Sequence, residues 1–197
     1  MAYVGVAKPY IAKLVNEKTK KYENGFKCGK AMNVNISPNY NEGKLYADNQ
    51  LAENVKEFKD GTMTLGTDRL PKEAESVCFG HDVKEDGVVY KTGDSANYVG
   101  VGFNVDEMLD GVKRYVAIVV YKVKFSENAE DYTTKGENIE FKTPSISGTI
   151  SGLSSTEWKE RKVFDTEAEA EAWIKEVLCI EDNAGTGGTE TLENSGQ

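Results

Sequence analysis

The sequence predicts a mainly β protein, built in two layers around one long central strand, with two helices set against it. Three observations carry this. The most hydrophobic segment, 113–125 (KRYVAIVVYKVKF), is rich in β-branched and aromatic residues, which suit a pleated, buried surface. Shorter segments at 31–36 and 96–105 alternate apolar and polar or small residues with a period of two. Turn-forming pairs, Asn24-Gly25, Asp60-Gly61, Asp86-Gly87 and Asp110-Gly111, punctuate the chain between such segments.

The central segment places Tyr115, Ala117, Val119, Tyr121, Val123 and Phe125 on one face under strict alternation. Val116, Ile118 and Val120 occupy the other face, followed by Lys122 and Lys124. Its first half is therefore expected to be covered on both sides and its second half on one. At ~3.3 Å per residue it spans ~43 Å, far beyond the usual strand of about 5–6 residues. A strand that long in a chain of 197 residues implies a sheet extended for a purpose beyond closing a small core.

Upstream, 3–6 reads as a short strand or arm and 10–15 as a strand, with Asn24-Gly25 as a hairpin turn. Met32, Val34 and Ile36 face one way and Asn33 and Asn35 the other. The stretch 39–58 fits neither period and reads as a long loop, yet Leu45, Tyr46, Leu51, Val55 and Phe58 make it too apolar for a solvated linker. Loops of this length inside a compact domain are usually functional. Asp60-Gly61 then reads as a turn.

Segment 69–80 (RLPKEAESVCFG) predicts a short helix, with Pro71 in the first turn and Gly80 just past its end. Val99, Val101, Phe103 and Val105 alternate with Gly100 and Gly102, a glycine face that admits a close neighbour. Asp110-Gly111 links this strand to the central one as a hairpin. Ile139 and Phe141 set one alternation, Ile146 and Ile150 the opposite phase, and the change falls at Pro144-Ser145. Segment 158–164 reads as a late strand. Segment 165–178 is the clearest helix: Thr166 and Glu169 form a capping box, and Ala170, Trp173, Ile174, Val177 and Leu178 make one stripe. Residues 1–180 thus form one domain, and 181–197, nearly without apolar residues, read as a flexible polar tail.

The bulk numbers restrict function. Thirty-three acidic against 24 basic residues give a formal net charge of −9, which opposes a role that grips nucleic acid through its phosphates. Three separated cysteines, Cys28, Cys78 and Cys179, read as free thiols in a reducing compartment. No signal-peptide pattern opens the chain, and no apolar run is long enough to cross a bilayer, so a cytoplasmic origin and no membrane partner are expected.

Candidate chemistry is sparse. His81, the sole histidine, lacks partners at ligand spacing and reads as a capping or loop residue. Gly100-x-Gly102 lies inside a strand pattern rather than before a helix, so it is no dinucleotide fingerprint. Asp48-Asn49 with Glu53 lacks EF-hand spacing, and pairs such as Glu130-Asp131 fit a solvated surface. No converging acid, base, nucleophile or metal set is found, so neither enzyme activity nor a cofactor is expected.

Taken in order, several segments resemble the major tail protein (tail-tube) family of long-tailed bacteriophages, in the type common in phages of Gram-positive hosts. They are Leu45-Tyr46-Ala47-Asp48-Asn49; Leu70-Pro71-x-Glu73 through Phe79-Gly80; Tyr98-Val99-Gly100-Val101-Gly102-Phe103 followed by 115–125; and Thr134-Lys135-x-Glu137-x-Ile139-x-Phe141-x-Thr143. The resemblance covers roughly residues 8–150, whereas 158–178 and the tail are less typical and read as an addition on the tube exterior.

The resemblance implies a β-sandwich or barrel with a flanking helix. It implies six copies per ring, stacked rings, a lumen lined by sheets joined between subunits, and a place in the virion tail after assembly in the host cytoplasm. Segment 39–58 would reach a neighbouring subunit, with Leu45, Tyr46, Ala47, Asp48, Asn49, Leu51 and Val55 as the contact residues. A tape-measure protein and tail terminator and distal tail proteins would be partners, and DNA would pass without specific binding. The inner tube of a contractile tail or bacteriocin is a close alternative. A carbohydrate-binding β-sandwich module, kept open by Trp158 and the tyrosines, is the alternative from another class.

Overall fold

The computed structural model describes residues 2–47, 50–127, 134 and 143–181; the side chains of residues 46, 47 and 50–52 lie outside that description. The chain is mainly β, as its alternation predicts. In order it runs β1 (Ala2–Asn16), β2 (Lys21–Lys27), β3 (Ala31–Ala47), β4 (Gln50–Thr67), α1 (Lys72–Ala74) continued by a π-helical turn (Glu75–Phe79), β5 (Asp82–Lys84), β6 (Gly87–Val89), β7 (Tyr98–Leu109), β8 (Val112–Ser126), β9 (Ser145–Ile150), β10 (Lys159–Phe164) and α2 (Glu167–Val177).

One antiparallel sheet has the order β2-β1-β7-β8-β9-β4-β3, and β5 and β6 form a separate hairpin. The central segment is the hub. One flank of β8 pairs with β7 along most of its length. The other flank pairs with β10 over residues 115–120 and with β9 over 123–126. The sheet curls, so that Ile11 of β1 and Met63 and Leu65 of β4 join Val99, Val101, Phe125 and Ile150 in one core, capped by Val77, Cys78 and Phe79 of the π turn. A second core lies on the opposite face, where Ala170, Ile174 and Leu178 cover Ala12, Ala117, Val119 and Tyr121.

The glycine face of β7 explains how closely α2 sits. A Cβ on Gly102 would lie 2.4 Å from Ile174 Cγ2, and one on Gly100 2.5 Å from Tyr22 Cε1. The helix starts as its sequence predicts: Thr166 Oγ1 accepts from Glu169 N at 3.3 Å and donates to Glu169 Oε2 at 2.8 Å. Its exposed side is pinned by Glu171, which accepts from Lys8 Nζ and Tyr10 Oη, each at 2.5 Å, and lies 3.3 Å from Lys175 Nζ.

Several expectations are corrected. Alternation along β8 is interrupted: Val99 pairs with Val123 but Val101 with Val120, a bulge that places one extra residue in β8. Tyr121 therefore faces α2 while Val123 and Phe125 face the other core. Asn24-Gly25 is a bulge inside β2, with Asn24 at φ 52°, and the hairpin turn falls at 17–20. There Asn16 Oδ1 accepts from Lys18 N and Thr19 N at 3.0 and 3.2 Å, an Asx turn that competes successfully with the Asn-Gly signal. Segments 3–6 and 10–15 are one strand, interrupted by a bulge where Lys8 adopts φ 52°.

Asp60-Gly61 is not a turn. Gly61 lies within β4, paired with Pro38 on one side and Ile150 on the other. The helix expected at 69–80 is mostly a π-helical turn, closed by Gly80 at φ 78°. The phase set by Ile139 and Phe141, and all but Glu181 of the tail expected at 181–197, lie outside the described residues.

Candidate functional site: a projecting ribbon

The stretch 39–58, read from sequence as a long loop, is the distal part of a β-ribbon. β3 and β4 pair from Ala31↔Thr67 to Ala47↔Gln50, but β9 pairs only with residues 61–66 of β4. Beyond Gly61 the two strands continue alone for roughly 30 Å at about 3.3 Å per residue. The periodicity is hidden by two bulges in β4, where Lys59 and Ala52 are extra residues opposite the Asn39–Tyr40 and Leu45–Tyr46 steps of β3, each shifting the alternation of β4 by one. Removing those shifts recovers a strand pattern on both sides of the ribbon.

The two faces differ chemically. On one, Tyr40, Glu42, Lys44, Asn54, Lys56 and Phe58 lie together by register. This face satisfies itself: Glu42 Oε1 accepts from Asn54 Nδ2 at 3.0 Å and lies 3.4 and 3.5 Å from Lys44 and Lys56 Nζ. Its root is anchored where Phe58 stacks on Trp158, centroids 4.6 Å apart and rings parallel within 1°, with Tyr40 edge-on to Phe58. Trp158, the aromatic that keeps a glycan-binding reading open, is thus engaged within the chain.

The opposite face carries Asn41, Gly43, Leu45, Glu53, Val55 and Glu57. Leu45 is 58% and Val55 48% exposed. Among the described residues Glu53 and Glu57 have no ion pair. An unsupported two-stranded ribbon is marginal in water. One with an apolar, acidic, unpartnered face is a surface built to be covered.

Of the expected contact residues, the structure places Leu45 and Val55 on this one face. Tyr46, Ala47 and Leu51 lie in the paired strands at the tip, where the side chains are outside the described part. Asp48 and Asn49, two of the three residues weighed as calcium ligands with Glu53, lie outside the described residues. Glu53 and Glu57 were missed, because without the register nothing in the sequence puts them beside Leu45 and Val55.

His81, read as a capping or loop residue, follows the π turn, where its amide donates to Glu75 O at 3.0 Å, and its side chain is a buried connector. Its side chain is 3% exposed. Nδ1 hydrogen-bonds Asp94 Oδ2 at 2.8 Å, and Nε2 lies 2.8 Å from Glu127 Oε1 and 3.9 Å from Glu75 Oε2. The ring packs between Phe79 and Tyr90. Asp94 is held below the usual carboxylate range by His81 first and then by the Lys91 amide. Nδ1 is hydrogen-bonded, while Nε2, among the described residues, makes no hydrogen bond and only lies near the two glutamates; the residue ties the connection at 80–97 to the π turn and to the end of β8.

A hollow of about 410 Å³ opens beside this cluster, between Tyr98, Lys124 and Phe125. Its two carboxylates, Asp94 and Glu127, both face His81. Lys124 Nζ lies 5.4 Å above the Tyr98 ring. Among the described residues no group of three or more His, Cys, Asp or Glu has a metal-binding arrangement, and no helix is long and apolar enough to cross a membrane.

No family model and no curated protein matches this chain in sequence.

Proposed function

We propose that this protein is a structural, self-assembling subunit whose copies form stacked rings of six and so build the tube of a phage tail.

 The sixfold count comes from the tail-tube resemblance alone. The tube would act as a conduit for DNA during infection, with assembly in the host cytoplasm and a final place in the virion. The observation that carries this reading is the ribbon: two strands that outrun the sheet and leave Leu45 and Val55 exposed, with Glu53 and Glu57 beside them and no ion pair for either among the described residues. A monomer gains nothing from holding such a face in water, whereas a repeating assembly covers it in every copy.

Two further features support it. Among the described residues the outer edges of β2 and β3 carry no strand partner, which leaves both edges of the sheet available for continuation. The formal net charge of −9 suits a wall past which DNA slides without being held by phosphate contacts. On this reading a tape-measure protein and the terminator and distal tail proteins are the partners at the ends of the tube.

The test is the mass in solution as concentration rises, with negative-stain electron microscopy of the same samples. Rings or hollow tubes are expected. Leu45→Asp places a charge on the ribbon's apolar face, and it is expected to abolish assembly while leaving the far-ultraviolet circular dichroism unchanged. Tubes of normal length from this variant would remove the ribbon's assembly role.

A further inference from the structure

A second surface is as incomplete as the ribbon, and its chemistry is the reverse. Where β10 replaces β9 on the flank of β8, part of the sheet face that forms the main core elsewhere is exposed. Register places the side chains. Tyr3 pairs with Glu107, which pairs with Arg114; Leu109 pairs with Val112; Arg161 pairs with Ile118, and Val163 with Val116. Tyr3, Val112, Arg114, Arg161 and Val163 therefore share one face of β1, β7, β8 and β10, with the buried Glu107 between Tyr3 and Arg114 and with Lys159 at its border. Tyr3 is 54%, Val112 57% and Val163 44% exposed.

Among the described residues Arg114, Lys159 and Arg161 have no carboxylate partner. Arg161 Nη1 instead donates to Tyr3 Oη at 2.8 Å, and Lys159 Nζ lies 4.5 Å above the Trp158 ring. The lysine is held below its ordinary range, first by burial and then by Arg161.

We infer that the ribbon of one copy docks, by its Leu45/Val55 face, on this face of a neighbouring copy, with Glu53 and Glu57 meeting Arg114 and Arg161. The inference rests on the self-assembly reading and names the acceptor that reading leaves open. Three matches carry it. Apolar residues meet apolar residues on both sides. Unpaired carboxylates meet unpaired guanidinium groups, which favour carboxylates through bidentate hydrogen bonds. The acceptor, four strands at about 4.8 Å spacing, is narrower than the roughly 30 Å ribbon, so one ribbon can cross it. The two surfaces are different patches of the same chain. The contact is therefore heterologous: each copy donates a ribbon and accepts another, and the pattern closes into a ring or propagates instead of stopping at a twofold dimer.

Charge reversal tests the pairing. A ribbon variant, Glu53→Lys/Glu57→Lys, and an acceptor variant, Arg114→Glu/Arg161→Glu, each bring like charges together. Each alone is expected to raise the concentration needed for assembly by about tenfold or more, since like charges facing each other across an interface are strongly unfavourable. Mixed one to one, the basic ribbons meet the acidic acceptors and the acidic ribbons meet the basic acceptors. Assembly is then expected to return, in particles where the two variants alternate, as it is in a chain carrying all four changes. Circular dichroism of each variant checks its fold.

If the wild-type chain assembles and folded single-surface variants assemble as readily, the docking is wrong while the self-assembly reading stands. The same holds if the mixture of folded variants fails to recover. If the wild-type chain stays monomeric at every concentration and with initiating tail proteins present, the self-assembly reading fails and the docking falls with it.

Discussion

Gly102→Ala should loosen the helix from the sheet, and the size of the effect follows from three distances. The added Cβ would lie 2.4 Å from Ile174 Cγ2, 3.2 Å from Leu178 Cδ1 and 3.5 Å from Ile174 Cβ. Carbon atoms pack best at about 3.5–4.0 Å, so α2 must retreat by roughly 1 Å or Ile174 must leave its rotamer. Both Ile174 and Leu178 are fully buried, which leaves no free volume to absorb the methyl group. Overpacking of this kind costs about 1–3 kcal/mol. Against it stands the smaller conformational freedom of alanine in the unfolded chain, worth about 0.4–1 kcal/mol.

The net expectation is a loss of about 1–2 kcal/mol, or a fall of about 2–8 °C in Tm for a chain of this size. Urea denaturation followed by circular dichroism reads it directly. Ile174→Leu removes the β-branch methyl that collides, so the double variant should recover part of the loss, a coupling visible in a double-mutant cycle. A Gly102→Ala protein as stable as wild type, or a double variant whose losses simply add, would refute the close-approach argument.

Other expectations follow from individual groups. Burial alone would raise the Glu171 carboxyl, but Lys8, Tyr10 and Lys175 overrule it and bring it down to about 2 from an ordinary 4.5. A lowered folded value means that its stabilisation is present above pH 4.5 and is lost as pH falls from there toward 2. Allowing for partial exposure this is about 1–2 kcal/mol, and Glu171→Gln should lower the neutral-pH urea midpoint and flatten that acid limb. If the wild-type and variant curves stay parallel across this range, the ion cluster contributes nothing. Burial pushes the Cys28 thiol up to about 12 and the Cys78 thiol upward as well, whereas Cys179 is exposed. Native alkylation read by mass spectrometry should therefore label Cys179 quickly and the other two only after denaturation, and equal rates would contradict the buried placement.

The sequence by itself determined the class of the fold, the central strand, the capping and stripe of α2, and the role of the β7 glycines. These are local properties: a period of two or of 3.6, a threonine three residues before a glutamate, and residues without side chains on one face of a strand. It also marked 39–58 as apolar beyond what a linker needs. It could not show that this stretch is a ribbon, because bulges at Ala52 and Lys59 break the period of its second strand, on which such a reading depends. Nor could it place Glu53 beside Leu45, or gather Tyr3, Arg114 and Arg161 on one surface. Those juxtapositions join residues far apart in the chain and depend on pairing register, where a slip of one residue sends every side chain to the opposite face. Register is a property of the assembled sheet, and so the two surfaces proposed to meet were decided by the tertiary structure alone.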